Sequence, residues 1–200
     1  MTFEGMVWKL YHVFEWITHI MYLNFLWILF TVVGGGMFGF FPATAAMFSV
    51  SRKWVIGERD IPIIKAFWGY FKKDFIQTNI LGYVLIFIGI FLYFDLKISL
   101  KSDLLFFRFL TFTFLIFFIL YFVILLYVFP IHAHYKFRVL EYIKYSLIMA
   151  LAKPLQTIMM VVSFLAIVLI IRFSPILVLF LAGGLISITL TSVSMRSFLK

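Results

Sequence analysis

The chain has 200 residues, of which 65% are hydrophobic and 12% are charged, and its formal net charge is +9. Soluble domains carry about 25% charged residues, and a soluble fold of this length has too much surface to hide so many apolar side chains. The composition therefore excludes an ordinary soluble domain and predicts an all-α, polytopic helical membrane protein. Because cysteine is absent, disulfides, thiolate catalysis and cysteine-based metal sites are excluded as well.

Five apolar stretches are long enough to be membrane-spanning helices, which need about 20 residues with few fixed charges. They cover residues 17–41, 78–94, 109–131, 155–171 and 176–193. Only RFSP separates the last two stretches, which are predicted to form an antiparallel hairpin with a cap at Ser174 and a helix start at Pro175. The chain is thus expected to be a single membrane domain, residues 1–200, with about five spans.

Most of the lysine and arginine residues fall in three connecting or terminal segments. These segments are residues 42–77, residues 132–153 and the tail after residue 193. Because basic residues collect in cytoplasmic loops, the pattern predicts a cell-membrane protein with its N-terminus outside and its C-terminus in the cytoplasm. The positive charge is interpreted as membrane topology, and no nucleic-acid partner is expected.

Three segments outside the spans have apolar residues at helical spacing with basic residues on the flank. They lie at the N-terminus, around residues 60–75, where Asp60 and Pro62 mark a helix start, and around residues 139–147. Aromatic, basic, amphipathic helices beside membrane spans typically lie at the membrane interface. A protein-docking surface is the alternative interpretation, and the two are compatible.

The glycine-rich stretch GGGMFGFFPATAAMFSVSRKW, residues 34–54, lacks the Gly-Lys-Ser/Thr ending of a phosphate-binding loop. Its glycines favour close helix packing or a local break. Pro42 is expected to start a helix over residues 42–55, packed on the cytoplasmic side. Arg52, Lys53 and Trp54 are expected to hold its far end at the inner head groups.

If the protein has a partner, this helix and residues 67–75 are the predicted docking surface. The candidate docking residues are Pro42, Thr44, Arg52, Lys53, Trp54, Phe67, Trp68, Phe71, Lys72 and Lys73.

The histidines form no pattern typical of a metal site. His12 and His19 share a helical face with Glu15, whereas His132 and His134 are two residues apart and would point in different directions. Hydrogen-bonded interfacial histidines are the favoured interpretation. No catalytic, metal-binding or cofactor-binding residue is predicted, and the protein is expected not to be an enzyme.

The apolar segments carry neutral polar residues and almost no ionisable ones. Asn24, Asn79 and Gln156 are the possible polar intramembrane positions. Such residues suit hydrogen bonds between helices, and they could also line a path for a small molecule.

Three stretches, GFFPATAAMFSVSRKW, FWGYFKKDFIQTN and YVFPIHAHYKF, resemble the YesL family of bacterial membrane proteins, a group classed as a domain of unknown function. The likeness covers nearly the whole chain. Members of that family are often encoded beside carbohydrate ABC importers. The resemblance implies a non-enzymatic accessory protein of a carbohydrate ABC import system, in contact with the lipid bilayer and with permease subunits.

No catalytic residue is carried over from that family. Two other interpretations stay open from the sequence. One is a stand-alone transporter of a small solute or a lipid, and the other is a membrane scaffold or sensor.

Overall fold

The computed structural model describes residues 3–101, 105–173 and 177–198, and the regular structure in these ranges is helical throughout. A π-helical turn, Val178–Ala182, leads into the last helix. The eight α-helices are α1 Phe3–Val33, α2 Met37–Val55, α3 Ile63–Lys73, α4 Phe75–Ser99, α5 Leu105–His134, α6 Val139–Ala152, α7 Pro154–Phe173 and α8 Gly183–Phe198.

Within the described part of the chain, four helices contain a segment long and apolar enough to cross a membrane. The segments are Leu10–Val33, Phe75–Ser99, Phe106–His134 and Pro154–Arg172. The predicted all-α, polytopic membrane fold is confirmed. Three predicted spans, 78–94, 109–131 and 155–171, lie inside α4, α5 and α7.

The fifth predicted span, residues 176–193, coincides largely with the π-helical turn and the first part of α8. This region is not among the four apolar segments. Its predicted cap at Ser174 and helix start at Pro175 lie outside the described residues.

The chain reverses direction inside the first predicted span, residues 17–41. Gly35 and Gly36 have φ values of 85° and 68°, a left-handed conformation that glycine adopts at little steric cost. After this turn α2 runs back along α1, and Trp27 Nε1 donates to Thr44 Oγ1 at 3.0 Å. The sequence predicted one helix to residue 41 and a new helix from residue 42. That boundary is wrong, since Pro42 lies in the second turn of α2.

The reversal also changes where the N-terminal segment lies. The Arg59 guanidinium sits over the Trp16 ring, 4.9 Å from its centroid, and the Trp16 and Trp54 rings meet edge to face at 6.2 Å. Phe198 of α8 stacks on His134 at 5.0 Å, at the end of the bundle where α2 also finishes. Trp16 and Phe198 therefore lie at the same end of the bundle, and the predicted placement of the two termini on opposite sides of the membrane is not supported.

Helix α2 lies at the centre of the bundle and is buried continuously from Phe41 to Ser51. On one side Phe48 stacks on Phe129 of α5, with ring centroids 5.7 Å apart. On another side the Ser51 and Ser187 hydroxyls are 2.8 Å apart, which ties α2 to α8. The surrounding helices thereby fix the position of the last turn of α2.

The two predicted amphipathic segments downstream are helical, as α3 and α6. Phe67 and Phe71 anchor α3, because both are buried and their rings lie 5.1 and 5.2 Å from that of Phe30 in α1. Helix α6 begins where the Arg138 backbone N–H donates to the Glu141 carboxylate at 2.8 Å, half of a capping box.

Helices α4 and α5 form a long antiparallel pair. Tyr121 Oη donates to the Leu85 carbonyl at 2.9 Å, and Ser99 Oγ donates to the Phe107 carbonyl at 2.7 Å near the α4–α5 connection. At its other end α4 begins at Asp74, whose carbonyl accepts the Thr78 N–H. This pairing brings the α3–α4 junction beside the end of α5.

Candidate functional site

A cleft of about 320 Å³ opens where α2 and α5 end and α3 meets α4. Arg52 reaches it from the last turn of α2, and Lys73 and Asp74 come from the α3–α4 junction. His132 belongs to the last turn of α5, and Lys136 to the segment that follows. We call this feature the basic cleft, because three permanent cations and one carboxylate line it.

Arg52 is held in position by a histidine. Its Nε donates to His134 Nδ1 at 3.2 Å, so the neutral His134 ring carries its proton on Nε2. The His134 ring is itself fixed by stacking on Phe198. Among the described residues this is the hydrogen bond of the Arg52 side chain, and it leaves the two terminal nitrogens of the guanidinium as donors for another group.

The wall of the cleft opposite α2 is a network of hydrogen bonds around residues 135–142. The Tyr142 hydroxyl accepts the Phe137 N–H at 3.1 Å and donates to the Tyr135 carbonyl at 3.3 Å. Gln77 Nε2 donates to the Phe137 carbonyl at 2.6 Å. Burial raises the pKa of the Tyr142 phenol, which therefore stays protonated at neutral pH and can make its donation. These bonds hold the α5–α6 connection rigidly beside the cleft.

His132 is the least satisfied polar side chain of the cleft. Only 6% of its surface is exposed, and neither Nδ1 nor Nε2 has a hydrogen-bond partner among the described residues. Its ring lies 4.9 Å from that of Tyr142. Burying a polar group without a partner costs about 1–3 kcal/mol, and such groups in folded proteins call for a specific explanation. Both nitrogens are also almost inaccessible to solvent, so a ligand in the cleft would reach them only after the ring turned toward it.

Half of the predicted docking residues are inside the bundle. Pro42, Thr44, Trp54, Phe67 and Phe71 are all buried. Thr44 and the aromatic residues join α1, α2 and α3 to one another. These five residues lie in the interior of the bundle, so their predicted docking role has no exposed side chain to support it.

The other five predicted docking residues remain near the surface, in three different settings. Arg52 and Lys73 line the basic cleft. Lys53 forms an ion pair with Glu58. Trp68 and Lys72 are exposed on the outer face of α3.

The three predicted intramembrane polar residues lie on three different helices, and none of them lines the basic cleft. Asn24 is fully buried, and its Oδ1 accepts the Gly183 N–H at 2.9 Å, joining α1 to α8. Asn79 Nδ2 donates to the Phe75 carbonyl of its own helix at 2.9 Å. Gln156 is half-buried near the start of α7. For Asn24 the structure supports the hydrogen bonding between helices that the sequence suggested.

The predicted face shared by His12, Glu15 and His19 exists and lines a second cavity of about 370 Å³. His12 Nδ1 and a Glu15 carboxylate oxygen are 3.2 Å apart, and Arg59 and Trp16 complete the same wall. In the described part of the chain, no group of three or more histidine, aspartate or glutamate side chains is arranged to hold a metal ion.

Most of the residues that line the cleft were not among the predicted site residues, and Asp74, Gln77, His132 and Lys136 are the ones that matter for its chemistry. Their convergence depends on the packing of α5 against the α3–α4 junction, which no local pattern contains. One usable signal was the position of His132, two residues after Pro130 at the end of the most apolar helix. A polar residue that ends a long apolar helix lies near the membrane surface, where a cleft can form.

Comparisons with known proteins identify relatives of undetermined role. Residues 20–96 match the family model described as "Protein of unknown function, DUF624". Three proteins of Bacillus subtilis (strain 168), each named as uncharacterized, are similar over most of their length. YteU is 37% identical, and the match covers 94% of this chain and 84% of YteU. YesL is 33% identical, with 94% of this chain and 88% of YesL covered. YesV is 34% identical, with 93% of this chain and 89% of YesV covered. No solved structure matches the chain significantly.

Proposed function

This chain belongs to the DUF624 family, which includes YesL, and on that premise we propose that it is a non-enzymatic accessory protein of a carbohydrate ABC import system. The observation that supports this function is a rigid, exposed aromatic and basic ridge on α3. It consists of Ile64, Trp68 and Lys72, which are four residues apart and therefore in line on one helical face. We call it the α3 ridge.

The α3 ridge has the properties of a contact surface. Ile64 is 53% exposed and Trp68 is 47% exposed, while Phe67 and Phe71 behind them are locked against α1. A tryptophan held on a rigid helix loses little side-chain entropy when it binds a partner, and tryptophan is enriched in the energetically important centres of interfaces. A membrane permease with an aromatic or acidic surface near the head groups is the partner that suits this ridge.

In the proposed orientation, the end of the bundle with the basic cleft faces the cytoplasm. Arg52, Lys73 and Lys136 lie at that end, whereas Lys97 and Lys101 lie at the α4–α5 connection at the other end. Basic residues favour the cytoplasmic side. In this orientation the segment around Trp16 and the end of α8 are cytoplasmic as well. The α3 ridge also lies on the cytoplasmic side, where an ABC importer hydrolyses ATP.

Site-specific photocrosslinking in the native host tests the proposed association. A crosslinking amino acid in place of Trp68 is expected to capture a tagged permease subunit of a carbohydrate importer. The matched control is Phe109 of α5, which is 67% exposed but lies near the other end of the bundle. Capture at neither position, together with unchanged carbohydrate uptake after deletion of the gene, would contradict the proposal.

A stand-alone transporter is the second candidate, and the basic cleft is the observation that favours it. A cleft of this size can hold a small solute. Solute uptake by liposomes that contain only the purified chain would establish the transporter and refute the accessory function. A scaffold or sensor would instead give crosslinks at Trp68 without any change in the rate of uptake.

A further inference from the structure

We propose that the basic cleft binds a phosphorylated polyol, either a soluble sugar phosphate or the headgroup of an anionic glycerophospholipid. This ligand site goes beyond the proposed association with a permease and does not depend on it.

The charge of the cleft indicates an anion. Arg52, Lys73 and Lys136 contribute three permanent positive charges, and Asp74 contributes one negative charge. A phosphoryl group carries one or two negative charges and can bind several donors at once, so it balances this excess better than a neutral solute does. Bidentate contact between a guanidinium and a phosphoryl group is among the stronger charge-assisted hydrogen bonds.

Two donors of the cleft are Arg52 and His132. Arg52 is fixed through Nε by His134, which leaves its terminal nitrogens to face an acceptor. His132 lines the same cleft, is 6% exposed, and has buried ring nitrogens without a hydrogen-bond partner among the described residues. A neutral imidazole has one N–H in either tautomer, so after a turn of the ring toward the cleft His132 can donate to a phosphoryl oxygen without a change of charge. The ligand-free bundle carries the cost of this buried histidine, and a bound phosphoryl group would relieve it.

Asp74 specifies the remainder of the ligand. Its carboxylate repels phosphoryl oxygens but accepts hydrogen bonds from hydroxyl groups. A ligand that uses both the cations and Asp74 must therefore carry a phosphoryl group and at least one hydroxyl, as a phosphorylated polyol does. The volume of about 320 Å³ lies at the low end of the range of ligand sites, about 300–1,000 Å³. It suits a single sugar phosphate or one headgroup and is too small for a large cofactor.

The test uses the full chain in phosphatidylcholine nanodiscs, titrated calorimetrically with glucose 6-phosphate and with glucose. We expect glucose 6-phosphate to bind at least tenfold more tightly than glucose. Lys73→Gln is expected to weaken that binding about tenfold, the effect of one lost charge-assisted contact. Lys72→Gln is the matched control: this lysine is the neighbour of Lys73, is exposed, and does not line the cleft. It is expected to change the affinity less than twofold.

A second arm distinguishes the source of the phosphoryl group. The ligand is a lipid headgroup if three results are found together. Phosphatidylglycerol nanodiscs raise the unfolding temperature of the protein, the Lys73→Gln variant does not show this increase, and glucose 6-phosphate does not bind. If glucose 6-phosphate binds and phosphatidylglycerol has no effect, the ligand is soluble. Absence of both effects overturns the proposal, as does an equal loss of binding in Lys72→Gln and Lys73→Gln, because nonspecific surface charge would then explain the result.

His132→Leu adds a readout that a purely structural histidine would not give. Removal of an unpartnered buried imidazole should leave the unfolding temperature unchanged or raise it, since an unsatisfied polar group is lost. The same variant should lose at least fivefold in affinity for whichever ligand the first two arms identify. Unchanged affinity in a folded His132→Leu variant would show that His132 does not contact the ligand and would overturn its assigned place in the site.

Discussion

Helices α2 and α7 show that burial in this protein does not follow hydrophobicity. Helix α7 is composed almost entirely of large apolar residues, yet its side chains mostly point outward, and Leu155 and Leu169 are 67% and 59% exposed. Helix α2 contains PATAA, two serines and an Arg-Lys pair, yet it is buried from Phe41 to Ser51. The more polar helix is at the centre and the more apolar helix is at the edge.

The difference follows from the solvent. Lipid tails are as apolar as leucine, so a large apolar side chain gains little by moving from lipid to the protein interior. Small residues such as Ala43 and Ala46, both fully buried, allow neighbouring backbones to approach closely. Serine and threonine hydroxyls find hydrogen-bond partners there that lipid cannot offer. Close packing and hydrogen bonds therefore select the central helix.

The largest expected effect is at Gly39, where α1 and α2 come closest. A Cβ at this position would clash with the Thr31 carbonyl oxygen and lie 2.8 Å from the Phe30 carbonyl oxygen, both backbone atoms of α1. Gly39→Ala is expected to lower the free energy of unfolding by about 3 kcal/mol, as for severe overpacking. Unfolding of the purified variant in mixed micelles measures the loss.

Gly69→Ala is the control for this experiment. Gly69 is also helical, but it is exposed on α3 and nothing lies within 4 Å of an added Cβ. Its replacement should stabilise the protein by about 0.5–1 kcal/mol through helix propensity. Equal changes in the free energy of unfolding for Gly39→Ala and Gly69→Ala would show that the close approach of α1 and α2 does not stabilise the centre of the bundle.

An intermediate effect on the free energy of unfolding is expected when a buried methionine is replaced by alanine, and an exposed methionine serves as the control. Met47 of α2 is 3% exposed, whereas Met159 of α7 is 38% exposed. Met47→Ala leaves a cavity and should cost about 2 kcal/mol, while Met159→Ala should stay within about 0.5 kcal/mol because lipid fills the space. If thermal unfolding shows the same loss of stability for both variants, the conclusion that α2 is packed against protein and α7 against lipid is wrong.

The smallest effect is the coupling between Ser51 and Ser187, whose hydroxyls are 2.8 Å apart in a buried setting. A double-mutant cycle with Ser51→Ala and Ser187→Ala should give a coupling free energy of about 0.6 kcal/mol, with an upper bound near 1.7 kcal/mol, as for other hydrogen bonds between membrane helices. Additive single effects would mean that shape alone, without the hydrogen bond, holds α8 on α2.

Local patterns were sufficient to predict the helical elements. The apolar runs predicted α4, α5 and α7, and the start signal at Asp60 and Pro62 predicted α3. The extent of α4 was underestimated, since the predicted span ended at residue 94 while the helix continues to Ser99. This extension places Asp95 inside a helix apolar enough to cross a membrane, with its Oδ2 buried and unpartnered among the described residues.

The reversal after α1 and the basic cleft were not predictable in the same way. Continuous hydrophobicity over residues 17–41 concealed the turn, although three successive glycines are a strong sign of a break. The cleft depends on contacts between residues far apart in the chain, such as Arg52 with His134. The spacing of His132 and His134 along the chain carries no information about such contacts. Their interpretation as hydrogen-bonded groups overlooked the His132 ring, whose nitrogens have no hydrogen-bond partner among the described residues.

The Ser51–Ser187 contact has a consequence for biosynthesis. The two residues are 136 positions apart, so the ribosome completes α2 long before it makes the helix that contacts Ser51. During that interval the small and hydroxyl-bearing surface of α2 has only α1 and the early helices beside it. The buried contact between α2 and α8 is therefore completed only after α8 has been synthesised.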